Sequence, residues 1–282
     1  MPPPNACSAT AVPLIEAGAP PWSEADRQAA IRCLSNRTLW VIGNSVARHW
    51  AFILAAMLST NGSRHNAPKK MYRDGRDVER AKCGAGGAWG GQRVDGGHVH
   101  GRSCFGICEC SFEVQDVLGS QARLVFGWVF DIASPQVERG MLHGVAGSPP
   151  PDIVVYNAGI VDAQCSQSNH PHCNAGLHAA QNGGGAALGA MVRRVHDARP
   201  RMHFYWRATT ATCGMWRKHN NETKQMNTEL EKHLCALSWV RTMDAFAWTI
   251  DRPCDDFDDA IHHSVLAFDH VVAFLRNECP RG

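Results

Sequence analysis

The stretch from Leu39 to Trp50, reading LWVIGNSVARHW, constrains the fold more than any other part of the chain. Leu39 to Ile42 is a short apolar run of the kind that forms a buried strand. Gly43 and Asn44 break it, and a helical pattern over 46–59 begins at once. In it Trp50, Ile53, Leu54, Met57 and Leu58 recur at spacings of three and four and build one apolar face. Ser45 therefore falls between a strand end and a helix start, at the carboxyl edge of a sheet. There the free amides and dipole of the helix can stabilise a developing negative charge, which suits a nucleophile. The same serine can instead be a plain helix N-cap.

After residue 39 strands and helices alternate. Phe105 to Val114 and Leu124 to Ile132 read as strands, a ribbon followed by a core strand. Asp152 to Asn157 is a buried strand entering the polar turn Asn157-Ala158-Gly159. Leu188, Met191, Val192 and Val195 mark a helix, and Met202 to Arg207 the next strand. Met226, Leu230, His233, Leu234 and Leu237 mark another helix, and Ser238 to Met243 a last strand. Ile261, Val265, Phe268, Val272 and Leu275 mark a closing helix. This order predicts an α/β fold, a three-layer α/β/α sandwich with a mostly parallel sheet. Glycine- and cysteine-rich stretches at 60–103 and 165–187 are too long for ordinary connections and read as loop insertions. Ser23-Glu24-Ala25-Asp26 resembles a capping box that opens a short helix through Cys33. Residues 1–22 read as a flexible Pro-rich tail, and 23–282 as a single domain.

Composition excludes some classes of function. The net charge is +2 with 19% charged residues and no long basic run, so nucleic-acid binding has no electrostatic footprint. No apolar run reaches the length of a membrane span. The 12 cysteines are even in number, scattered, and include no CxxC pair. With the sequons at Asn36, Asn61 and Asn221, they point to disulfides and to the secretory lumen or the extracellular space. A cytosolic protein with many buried thiols is the alternative, and no signal peptide is visible in the first 21 residues.

In a parallel sheet the site lies beyond the carboxyl ends of the strands. The residues to weigh are Asn44-Ser45, Asn157, Arg207 to Thr209 and the loop 251–262. That loop ends in Asp259-Ala260-Ile261-His262, directly before the closing helix. An aspartate three residues before a histidine can hold its tautomer and stabilise the imidazolium while the imidazole takes a serine proton. Acids gathered at a helix N-terminus, with His262 solvated, are the plainer reading.

Taken together, Ser45, Asn157, Asp259 and His262 stand in the order of the SGNH, or GDSL, hydrolase superfamily, which the chain resembles. Gly43-Asn44-Ser45 stands where the family has Gly-Asp-Ser. Asn157-Ala158-Gly159 stands in the asparagine-bearing block, and Asp259-x-x-His262 matches the final block. The run from Gly43 to Trp50, with Trp206-Arg207-Ala208-Thr209, is similar to the PC-esterase and trichome-birefringence-like branch, which includes luminal polysaccharide O-acetyltransferases. The resemblance implies a flavodoxin-like SGNH fold and a serine esterase or acyltransferase acting on carbohydrate O-acyl, above all O-acetyl, groups. It implies Ser45 as nucleophile, His262 as general base, Asp259 as its orienter, and the Ser45 amide with the Asn157 side chain as oxyanion donors. A glycan ester and an acetyl donor are the partners implied, with no metal and no other cofactor. Three features depart from the family. Asn44 replaces its aspartate, Asn157 is followed by Ala-Gly, and the glycine completing the oxyanion hole is undetermined among Gly84, Gly86, Gly87 and Gly90.

Arg48 lies one turn after Ser45, and it and Arg207 either bind an acidic or polyol substrate or pair with nearby acids. His98, His100, Cys104, Cys108 and Cys110 form the one cluster that could hold zinc, at a spacing that fits no common zinc pattern. Disulfide bonding accounts for those cysteines more simply. A catalytically inactive carbohydrate-binding relative is the rival reading from a different class, and the Asn44 departure is its support.

Overall fold

The computed structural model describes residues 11–13, 20–58, 92–93, 107–112, 122–128, 132–144, 149–158, 180–257 and 261–280. The first helix, α1 (Glu24–Leu34), opens on a complete capping box: Asp26 N donates to Ser23 Oγ, and Asp26 accepts from the Ser23 backbone. Among the described residues seven strands follow: β1 (Thr38–Gly43), β2 (Gln92–Arg93), β3 (Ile107–Phe112), β4 (Ala122–Trp128), β5 (Ile153–Tyr156), β6 (His203–Arg207) and β7 (Val240–Met243). They form one sheet in the order β2-β3-β4-β1-β5-β6-β7. From β4 to β7 all neighbours run parallel, and β2 and β3 add an antiparallel ribbon on one side. Counted along the chain, the parallel strands stand in the doubly wound order 2-1-3-4-5 of flavodoxin-like folds. The fold is the expected three-layer α/β/α sandwich.

Alternation along the strands divides the core. Leu39, Val41, Val155 and Tyr205 face one layer, formed by α1, α2 (Ser45–Leu58) and the closing helix Ser264–Glu278. Trp40, Ile42, Val154, Tyr156, Phe204 and Trp206 face the other. That second layer holds α3 (Pro135–His143), α4 (Gly185–Ala198) and α5 (Asn220–Leu234). Because both faces are covered, the strands carry continuous apolar runs rather than alternating ones. A short helix α6 (Ala245–Thr249) follows β7, and the closing helix is α7. Two disulfides are described, Cys33–Cys279 joining α1 to the end of α7, and Cys213–Cys254 joining the loops after β6 and α6.

Some expectations need correcting. α3 and α6 have no counterpart in the apolar spacing, since each is short and buries only a few side chains. Ile261 precedes α7 rather than marking its face, because His263 is the residue flanking the helix start. The tail 1–22 is attached at its described positions. Val12 N donates to Thr242 O at 2.8 Å, and Val12 and Trp22 are buried in the core.

Candidate active site

Gly43 makes the site possible. A Cβ there would stand 2.6 Å from the Ala47 Cβ and 2.8 Å from the Asn157 carbonyl oxygen. Only glycine lets the ends of β1 and β5 close on one another, and Asn157 N donates to Ile42 O at 2.8 Å. Ser45 and Asn157 thus meet at the junction of the first and third parallel strands. Strand order reverses there, and doubly wound sheets bind their ligands in that crevice.

Asn44 settles the question of the cap. Its side-chain oxygen accepts from Val46 N at 3.0 Å and its carbonyl from Arg48 N at 2.9 Å. Asn44 is therefore the N-cap of α2. Ser45 is the first helical residue and is relieved of that duty. The departure at position 44 has a local explanation, since asparagine caps a helix as well as aspartate does.

Asn157 is buried, and its Nδ2 donates to the Arg207 carbonyl at 2.9 Å. One of the two amide hydrogens is thereby fixed, which orients the group and leaves the second. Ala158 is held by Thr209, whose hydroxyl donates to its carbonyl. Thr209 is itself pinned by Asn227, which accepts from its N at 2.9 Å and donates to its carbonyl at 2.8 Å. The Trp206-Arg207-Ala208-Thr209 stretch thus props up the asparagine turn.

His262 lies against the start of α2. Its ring centroid is 5.2 Å from that of His49, with planes tilted by 58°. Ser45 and His49 are four residues apart on one helix and share a face. Helical side chains lean toward the N-terminus, so His49 covers the turn that begins at Ser45. Asn157 thus stands at the rim of the sheet beside the Gly43–Ser45 turn, and His262 lies against the same helix through His49. Asp259, Gly84, Gly86, Gly87, Gly90, His98, His100 and Cys104 lie outside the described residues. Cys108 and Cys110 are described only as backbone in β3. Among the described residues no group of three or more His, Cys, Asp or Glu side chains could hold a metal ion.

Arg207 differs from expectation. It is 1% exposed, beneath the rim rather than on it, so it cannot meet a substrate from solvent. Its Nη2 faces His270 Nδ1 at 3.4 Å. Among the described residues its Nε and Nη1 have no hydrogen-bond partner, nor does Asn157 Oδ1. Burial draws the guanidinium down to about 9, so the charge is kept at neutral pH. Burial, and then the Arg207 charge, push His263 down to about 3 and hold His270 well below its ordinary value. Both imidazoles are neutral. Arg48 is half-buried on α2, three residues from Ser45.

Sequence reasoning passed over His49, His263 and His270. The four-residue step from Ser45 to His49 was the available signal. Nothing local marks His270, which reaches the site only through the packing of α7. A scan of protein-family models finds no match, and a search of curated proteins finds none.

Proposed function

We propose that this chain is a serine-dependent esterase or acyltransferase of SGNH type, acting on O-acyl, above all O-acetyl, groups of carbohydrates. The observation that carries the reading is the His262 ring set against the first turns of α2, beside Ser45 and Asn157 at the strand-order reversal. Ser45 Oγ attacks the ester carbonyl and passes its proton to His262, with Asp259 as the orienter of the imidazole. The α2 N-terminus, through the Ser45 amide, and the free hydrogen of Asn157 Nδ2 stabilise the oxyanion. Losing one such donor costs about 3 kcal/mol of barrier. The tetrahedral adduct collapses, His262 protonates the leaving sugar oxygen, and an acyl-serine remains. Water or a sugar hydroxyl then takes the acyl group, giving up its proton to His262. Arg48, within one turn of Ser45, is the cationic side chain on hand for a polyol or acidic sugar.

The disulfides agree with a secreted or luminal setting for this reaction. Asn36 and Asn221, two of the three sequon asparagines, are exposed. Among the described residues no helix is long and apolar enough to cross a membrane.

The test is covalent. A fluorophosphonate should label Ser45, read by peptide mass, and Ser45→Ala should abolish both labelling and acetyl-ester turnover, a loss of about 10⁴-fold or more. A native, folded protein that takes no label at Ser45 overturns the reading and leaves the inactive carbohydrate-binding alternative.

A further inference from the structure

His49 takes no part in the chemistry just described, yet it is 7% exposed and placed against the one imidazole that does. Its position follows from packing. The neighbouring Trp50 is fully buried and meets Phe274 of α7 edge-on, with ring centroids 5.2 Å apart. That contact is part of the packing of α2 on α7, and the loop entering α7 carries His262. The crossing presents His49 to His262 on the face of α2 that begins with Ser45.

A general base must keep its nitrogen within hydrogen-bond reach of the hydroxyl it deprotonates. His262 belongs to a loop residue pair ahead of α7, where the backbone alone leaves the ring two torsions of freedom. His263, the next residue, has its own anchor: Nδ1 donates to Ile261 O at 3.1 Å, and Phe257 stands against the ring at 5.5 Å. His49 supplies the corresponding wall for His262.

We infer that His49 is a positioning residue: its ring holds the His262 imidazole over the first turn of α2, aimed at Ser45. The role rests on the reading of Ser45 and His262 given above. It requires the flat ring and not its proton, which separates it from a second base. The misplacement it prevents is of the ångström scale that costs about 100-fold in rate.

The experiment uses the full chain with His49→Ala, His49→Gln and His49→Phe. Kinetics with a small acetyl ester are set beside the ring-proton NMR resonances of His262, assigned through a His262→Gln control. In His49→Ala the His262 resonances should move and kcat should fall about 10- to 100-fold, with KM within two-fold. His49→Gln should behave alike and stands in if the alanine variant does not fold. His49→Phe, which restores a flat ring, should recover to within about five-fold of native. A folded His49→Ala or His49→Gln protein with native kcat, a loss confined to KM, or a phenylalanine variant as impaired as alanine overturns the role. Failure of the wider functional reading shows separately, as absent labelling of Ser45 in the native protein, and removes this role with it.

Discussion

β6 carries a charged network at each end, and the two are built on opposite principles. At its amino end the Glu278 carboxylate, 1% exposed in its side chain, is saturated. It accepts from Tyr205 Oη at 2.6 Å, His203 Nδ1 at 2.8 Å, Arg37 Nη1 at 2.8 Å and Arg241 Nη1 at 3.2 Å. Burial alone would raise its pKa, but the Tyr205 and His203 hydrogen bonds and the Arg37 charge outweigh that and hold it low. At the carboxyl end Arg207 is as deeply buried, and among the described residues its guanidinium meets no acid. There its close polar neighbour, at 3.4 Å, is a neutral imidazole. A buried charge with every bond made belongs to the scaffold. One left incomplete among the described residues, beside Asn157 and the helix start at Ser45, is what the proposed site would tolerate in exchange for function.

The contrast can be broken from either end. The largest effect is expected from Glu278→Leu. It strips four donors of their acceptor and should cost about 3 kcal/mol in chemical denaturation, with turnover per folded molecule unchanged. Arg207→Met should do the reverse. Removing a buried charge that has no counter-ion among the described residues relieves its desolvation cost, so Tm should hold or rise while turnover falls about ten-fold as the cation beneath the site is lost; the Asn157 bond, made to the backbone carbonyl at 207, is kept. If Arg207→Met unfolds the protein, both ends are scaffold and the distinction fails.

Acid should act on the two ends in sequence, with the smallest effect. His263 and His270 stay neutral in the folded state, whereas in the unfolded chain they take up protons below their ordinary value of 6.5. Stability therefore falls as pH drops below about 6.5. Glu278 is ionised in the folded state below its ordinary 4.5, so its contribution is fully present above that value and is lost only as pH falls through its lower folded value. Melting curves between pH 7 and pH 5 should slope less in His270→Phe and as in native protein in Glu278→Leu.

The fold could be read from the chain because each layer announces itself. Leu39 to Ile42 and Ile153 to Tyr156 are short apolar runs, and the helical stripes at Leu188 to Val195 and Met226 to Leu234 have the period of a covered face. α3 escaped because a nine-residue helix seats little more than Val137 and Met141 on the core, although Ser134, Pro135 and Glu138 spelled its start. In the candidate site, what the sequence made legible was the placing of Ser45 and Asn157 just after strands and of His262 just before a helix. Asn44 as the cap was not, because serine and asparagine are nearly equal at that position. The burial of Arg207 was hidden for a different reason. A cation at a strand end looks solvent-facing until His263 and His270, more than fifty residues later, are seen to close over it.

The parallel bridge between Ala11 and Thr242 bears on how the molecule keeps to itself. β7 is the last rung of the parallel sheet, and an uncovered rung offers a row of amides and carbonyls to any extended polypeptide that drifts past. Ala11 and Val12 occupy part of that row from within the same chain. The opening segment thus works as a stopper against strand-by-strand self-association, and trimming it away would trade a covered border for an adhesive one.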